Sequence, residues 1–381
     1  MDDYAVEMPM PVAQNPEHMD LGGEQFDAEK HLQIEPPAFI KDLNFRNVPF
    51  PFSAEEQKVK GNLAYTTSFR ILSAEGVAAA RRSIEANEYL AKSSKRASKY
   101  IRGLGYTSNF HRGLAYSKEL NDMLSALARD RIAPHTLTMN VSHINWGEPG
   151  TGRPVDKWHT DSVDYVMVVI LSDMTDMIGG ELKVLQMPDA TGNTFRELTL
   201  KGVPDDLVEV VKYGGAGHCI LMQGTKILHS VAGVLQAREP RISLVNSYMT
   251  TRPFAVDRFK YHSFGKDGFR DPNDVLNLEY ARHKAWRIRG KMQYIMEEMK
   301  FGASKEDMVK ILDNAAEELK LASAIMQGKH NDHASWVEEK KNQNDLVGES
   351  NQQQEDRKRS EAFDEGKGGE ESPETKRSKN F

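Results

Sequence analysis

The sequence predicts a mainly β core with helices before and after it. Residues 136 to 250 hold short β-branched or alternating runs separated by Gly, Pro and Asp turns. Stretches rich in Ala, Arg, Glu, Leu and Lys at helical spacing flank them on both sides. Short strands in series, with no internal repeat at solenoid or propeller period, suggest a sandwich or barrel.

Each element follows from local chemistry. Residues 1–52 carry few periodic apolar positions and close on Asn47–Phe52, which contains two prolines, so an extended or disordered lead-in is expected. A domain over 53–271 follows, with helical support over 53–130 and the β core over 136–250. Ser53 with Glu56 reads as a capping box, Ser73 opens a helical stretch that runs to about Lys92, and a second helix is expected from Ser117 to Asp130. Thr136–Trp146 alternates like a strand, and Tyr165–Leu171 is apolar throughout, as a strand covered on both faces would be. Gly179–Leu185, Gly217–Met222 and Arg241–Tyr248 continue the series. Residues 272–328 return to helical spacing. Residues 329–381 hold almost no apolar side chains and are expected to be a disordered charged tail, because burial there has nothing to offset chain entropy.

Bulk properties narrow the function. The 381 residues carry a formal charge of −6, so no global attraction to nucleic acid is expected. No run approaches the roughly 20 apolar residues of a membrane span. The mean hydropathy is −0.60. The start of the chain lacks the basic, apolar and small-residue zones of a secretory signal, so a cytoplasmic protein is expected. The basic runs Arg357–Arg359 and Lys376–Arg377 have acidic neighbours and make only a weak nuclear-import signal. One cysteine, Cys219, excludes an intramolecular disulfide and a thiolate cluster. Any metal must be held by nitrogen and oxygen.

His159 and Asp161 are two positions apart, so in extended chain both side chains point the same way and can hold one metal ion. Two imidazoles and one carboxylate on one face of an octahedron leave positions open for a co-substrate and dioxygen. The second imidazole is assigned to His229, 70 positions later, after an apolar strand, a Gly turn and a second short strand. Arg241 and Ser243 follow on one face of the next strand, where a guanidinium and a hydroxyl can clamp a carboxylate. Arg238 is the alternative clamp, but it precedes Glu239-Pro240, where a turn is expected.

The order His159-x-Asp161, Gly179-Gly180-Glu181-Leu182, Gly224-x4-His229-x-Val231 and Arg241-x-Ser243 resembles the Fe(II)/2-oxoglutarate-dependent dioxygenase superfamily over roughly residues 136 to 250. That resemblance implies a double-stranded β-helix (jelly-roll, cupin-like) core. It implies Fe(II) on His159, Asp161 and His229, 2-oxoglutarate with its far carboxylate on Arg241 and Ser243, and O2 as oxidant. It also places Asn140, on the strand before the His-x-Asp turn, near the co-substrate. The implied activity is hydroxylation, desaturation or ring formation at an unactivated C–H bond of a small organic or natural-product substrate, with release of succinate and CO2. Retention of Asp161 favours hydroxylation over halogenation. The alternatives are a protein side-chain hydroxylase of the same superfamily and a non-catalytic cupin-like metal or ligand-binding module.

Other residues are expected to be structural. Trp158 and Tyr165 are read as packing beside a pocket mouth, and Lys183 as a solvent-facing charge. His111, His135, His143 and His218 lack ligand-like spacing. Oligomeric state is left open, with dimer contacts and substrate selectivity both assignable to the flanking helices.

Overall fold

A computed structural model describes residues 3–6, 15, 19–94, 98–187, 197–198, 201–262 and 272–332. Eight strands form its centre: β1 (His143–Gly147), β2 (Asp156–His159), β3 (Tyr165–Ile170), β4 (Leu182–Leu185), β5 (Val208–Val211), β6 (His218–Met222), β7 (His229–Val231) and β8 (Arg241–Thr250). One antiparallel sheet has the order β6-β3-β8-β1 and the other the order β5-β4-β7-β2. The chain crosses from one sheet to the other at every step except β4 to β5, which are neighbours in one sheet, and this strand order is that of the double-stranded β-helix, or jelly roll. The two sheets form no closed barrel among the described residues.

Alternation along β3 explains its unbroken apolar run. Val166, Val168 and Ile170 share a core with Leu182, Val184 and Val211 of the other sheet. Tyr165, Met167 and Val169 face the opposite way. There they meet a helical layer of α1 (Ala74–Ala86), α2 (Asn109–Ala115) and α3 (Lys118–Ala128), which supplies Ala79, Ile84, Phe110, Leu114, Leu124 and Leu127. β3 is therefore buried on both faces, the environment in which strands lose their polar alternation.

The helix starts follow their caps. Ser73 accepts from the Gly76 N–H at the start of α1 and Ser117 from the Leu120 N–H at the start of α3. Ser53 likewise accepts from Glu56, but that helix is short, Ala54–Gln57. α1 stops at Ala86, where Asn87 leads into a 3-10 turn, instead of reaching Lys92.

Two expectations are corrected. Part of the lead-in is structured: Phe39–Asp42 and Asn47–Pro49 pair antiparallel, and Leu63–Thr66 joins them to the β6 edge of the large sheet. Thr136–Trp146 is not one strand. Thr138–Asn140 forms a 3-10 turn, and Ser142 takes φ +58° with its N–H and hydroxyl both donating to Asn246 Oδ1. A left-handed residue bonded to β8 breaks the extended run, so β1 begins only at His143.

The C-terminal helical region is a pair, α4 (Pro272–Glu297) and α5 (Lys305–Met326). Lys284, Arg287 and Lys291 of α4 surround Glu318 of α5. Glu279 of α4 accepts from the Thr138 N–H at 3.0 Å, and His283 bonds Thr136 at 2.7 Å, so α4 holds the segment leading into β1. No helix among the described residues is long and apolar enough to cross a membrane. The expected tail lies outside the described residues from position 333 onward.

Candidate metal centre and carboxylate pocket

His159 ends β2 and His229 begins β7, and the antiparallel register sets them opposite each other. Directly opposed residues share a face, and the two rings lie 4.3 Å apart at their centroids. Asp161 sits in the turn after β2, where its N–H donates to the Gly224 carbonyl at 3.0 Å. A Cβ on Gly224 would lie 1.8 Å from Asp161 Oδ2, so the glycine is what lets the carboxylate reach the imidazoles.

The imidazoles are oriented in the same manner. His159 Nδ1 lies 2.6 Å from the Lys157 carbonyl and His229 Nδ1 3.1 Å from that of Ile227, each two residues upstream. A carbonyl only accepts, so each Nδ1 carries the proton and each Nε2 presents a lone pair. Those lone pairs face Asp161, His159 Nε2 at 3.3 Å from Oδ1 and His229 Nε2 at 3.6 Å from Oδ2. Asp156 Oδ2 approaches His159 Nε2 at 3.6 Å from the strand side. Burial lowers the His229 pKa, which keeps the ring neutral and able to ligate. Burial alone would raise Asp161, but His229 and His159 together take its pKa below the usual carboxylate value.

These residues fit a divalent cation. All three donors lie within 4.8 Å of one another. Asp161 Oδ2 is buried without a hydrogen-bond partner among the described residues, which costs free energy unless a cation meets it. His229 is 3% exposed, whereas His159 and Asp161 are 21% and 18% exposed, so the open side of the cluster faces solvent.

Arg241 begins β8 and is 1% exposed. Its Nη1 donates to Ser243 Oγ at 3.0 Å, and the guanidinium lies over the Tyr213 ring at 5.4 Å. Among the described residues Nε and Nη2 have no hydrogen-bond partner and neither has the Tyr213 hydroxyl, although the phenol and the guanidinium interact electrostatically. Burial pulls the Arg241 pKa down and pushes Tyr213 up to about 12. A buried guanidinium with unused N–H groups beside a phenol can hold an anion, and the planar fork suits a carboxylate. Gly180 makes room for it. The residue has φ +79°, and a Cβ there would lie 2.8 Å from Arg241 Cδ, so the Gly179-Gly180 pair reflects close approach as well as a turn.

His159, Asp161 and His229 thus form one cluster, and Arg241 and Ser243 form a second feature at the start of β8. Asn140 lies in the 3-10 turn rather than on a strand, and its amide is 3.3 Å from His135 Nδ1. Tyr213 was missed by sequence reasoning, since an aromatic before Gly214-Gly215 carries no spacing signal. Arg238 is 77% exposed and pairs with Asp176, which leaves Arg241 as the buried candidate for the clamp.

Tyr165 sits in the helix-facing core with its hydroxyl near Asp130 and Gln223. The register sets Lys183 opposite Ser230, whereas Val184 opposes His229, so Lys183 lies on the face away from the metal donors. Trp158 is half-buried beside His159. Burial holds His111 at a pKa of about 4 and His135 at about 3, so both stay neutral. His143 packs edge-on against Tyr100, and His218 begins β6. A second group, Glu24, His31 and Glu75, also places three donors close together. There the Asp27 N–H donates to His31 Nδ1, so Nε2 carries the proton and cannot ligate, and the carboxylates pair with Arg82 and Lys30.

No family model matches the chain, and no curated protein matches it in sequence. Among solved structures it is similar to the non-heme alpha ketoglutarate dependent epimerase SnoN from nogalamycin biosynthesis, at 20% identity over 52% of this chain and 81% of that one, with a TM-score of 0.38. It is similar to the non-heme alpha ketoglutarate dependent carbocyclase SnoK from the same biosynthesis, at 15% identity over 52% and 85%, with a TM-score of 0.40. EctD from S. alaskensis with 2-oxoglutarate and 5-hydroxyectoine matches at 18% identity over 62% and 93%, with a TM-score of 0.39.

Proposed function

We propose that the chain is an Fe(II)- and 2-oxoglutarate-dependent dioxygenase that hydroxylates, desaturates or cyclises a small organic substrate at a C–H bond. One observation carries the reading: a His-Asp-His cluster shares a jelly roll with a buried Arg241 whose Nε and Nη2 have no carboxylate partner among the described residues. A plain metal-binding module has no need of that charge, and burying it unmatched is costly.

Bound iron would supply oxidative decarboxylation of 2-oxoglutarate by dioxygen to succinate and CO2, coupled to oxidation of the substrate C–H bond. His159 and His229 would hold the metal through Nε2 and Asp161 through its carboxylate. The carbonyls of Lys157 and Ile227 fix the two tautomers, so neither ring reorganises on binding. Arg241, Ser243 and the Tyr213 hydroxyl would bind the distal carboxylate through atoms that are buried from solvent. Arg252, the next arginine after Arg241, pairs with Asp130 at 2.8 Å, which supports a small substrate over a nucleic-acid strand.

Release of labelled CO2 from 2-oxoglutarate carrying the label at C1 tests the activity. Release should require Fe(II) and vanish in His229→Ala. Release that persists in His229→Ala would contradict the assignment, and succinate production then serves to screen small organic substrates.

A further inference from the structure

Helix α5 carries two apolar stripes, and α4 covers only one. Ile311, Ala315, Ala322 and Ile325 are buried, and Ala322 and Ile325 join Leu276 and Tyr280 of α4 in one core. The other stripe is exposed. Val309, Leu312, Leu319 and Met326 are 39 to 51% accessible, and Ala316 and Ser323 complete a seven-residue repeat. Val309, Ala316 and Ser323 take its first position, and Leu312, Leu319 and Met326 its fourth. A continuous apolar seam about 26 Å long, at 1.5 Å per residue, marks an interaction surface.

We infer that this seam is a dimer interface, occupied by the same stripe of a second copy of the chain running antiparallel. The stripe is complementary to itself. With a twofold axis between Glu317 and Glu318, Val309 meets Met326 of the second copy, Leu312 meets Ser323, and Ala316 meets Leu319. Symmetry then repeats each pairing. Both leucines face a small residue, which lets the helices approach and fill the seam. A parallel, in-register pair would stack Ala316 on Ala316 and Ser323 on Ser323 and leave gaps between leucine layers. The flanking charges agree: Asp313 falls beside Lys320 of the second copy, and neither forms an ion pair with a described residue of its own chain. The chain after Met326 does not suit the seam, since residues 329–381 are mostly Gln, Glu, Lys, Gly and Ser.

Sedimentation velocity of the full chain at micromolar concentration should report twice the chain mass. Leu312→Glu with Leu319→Glu should halve that mass while cooperative melting is retained, because both side chains are exposed in the protomer. Asp313→Lys alone should weaken association, and Asp313→Lys with Lys320→Asp should restore it. A monomeric wild type, a dimer indifferent to the two leucine changes, or a charge swap that fails to restore association would each overturn the inference.

Discussion

Arg241 is the residue on which site and stability pull in opposite directions. Its buried guanidinium donates to Ser243 and leaves Nε and Nη2 unmet, so the protein without co-substrate bears a desolvation cost that a bound carboxylate removes. Arg241→Met should therefore leave the melting temperature of the metal-free protein unchanged or raised. The same change should abolish the stabilisation that added 2-oxoglutarate gives the wild type, and thermal melts with and without 2-oxoglutarate check both parts. Arg241→Ala should raise the 2-oxoglutarate concentration for half-saturation by roughly a hundredfold or more, with iron affinity nearly unchanged. Tyr213→Phe removes one hydroxyl and should raise it by roughly three- to tenfold. Gly224→Ala acts on the other half of the site. Its Cβ collides with Asp161, so equilibrium dialysis should show weakened Fe(II) binding while the melting transition stays cooperative.

Among the elements, α4 and α5 are fastened by charge rather than by apolar packing alone. Glu318 meets Arg287 at 2.6 Å and Lys284 at 3.2 Å, and it also pairs with Lys291. Burial would raise its pKa, but Arg287 and Lys284 win and hold it at about 2, against 4.5 for the free group. A depressed carboxylate pKa contributes stability that is present above the unfolded value and lost as pH falls from about 4.5 toward 2, a contribution on the order of 3 kcal/mol. Asp257, held well below its usual range despite burial because His283, Lys284 and Arg287 oppose it, acts in the same direction. Acid titration followed by circular dichroism should show stability falling in that window, and Glu318→Gln should destabilise the protein at neutral pH and flatten the acid limb. An acid limb unchanged in Glu318→Gln would mean that the cluster does not fasten the helix pair.

At the scale of the whole molecule, the β core was legible where periodicity is set by burial, and the jelly-roll arrangement only through the family resemblance. β3 read as a doubly covered strand because both of its faces meet apolar layers. The clustering of His159, Asp161 and His229 was legible because they are residue types that can ligate a metal, at separations a strand and a hairpin supply. Three features were not legible, each for a tertiary reason. The β-branched residues of Thr136–Trp146 suggest a strand, but Asn246 and Glu279, more than a hundred residues later, capture its backbone. The sheet extension by Phe39–Asp42 depends on a partner at Leu63–Thr66 that local pattern does not reveal. Tyr213 meets Arg241 only when the chain returns the guanidinium beneath its ring.

Anaerobic titration of the full chain with Fe(II) and 2-oxoglutarate, following the weak visible charge-transfer band of the iron chelate, tests the central claim most directly. A saturable band, absent in His229→Ala and displaced to far higher 2-oxoglutarate in Arg241→Ala, is the predicted result. Iron binding without any band, or a band indifferent to Arg241→Ala, would contradict it.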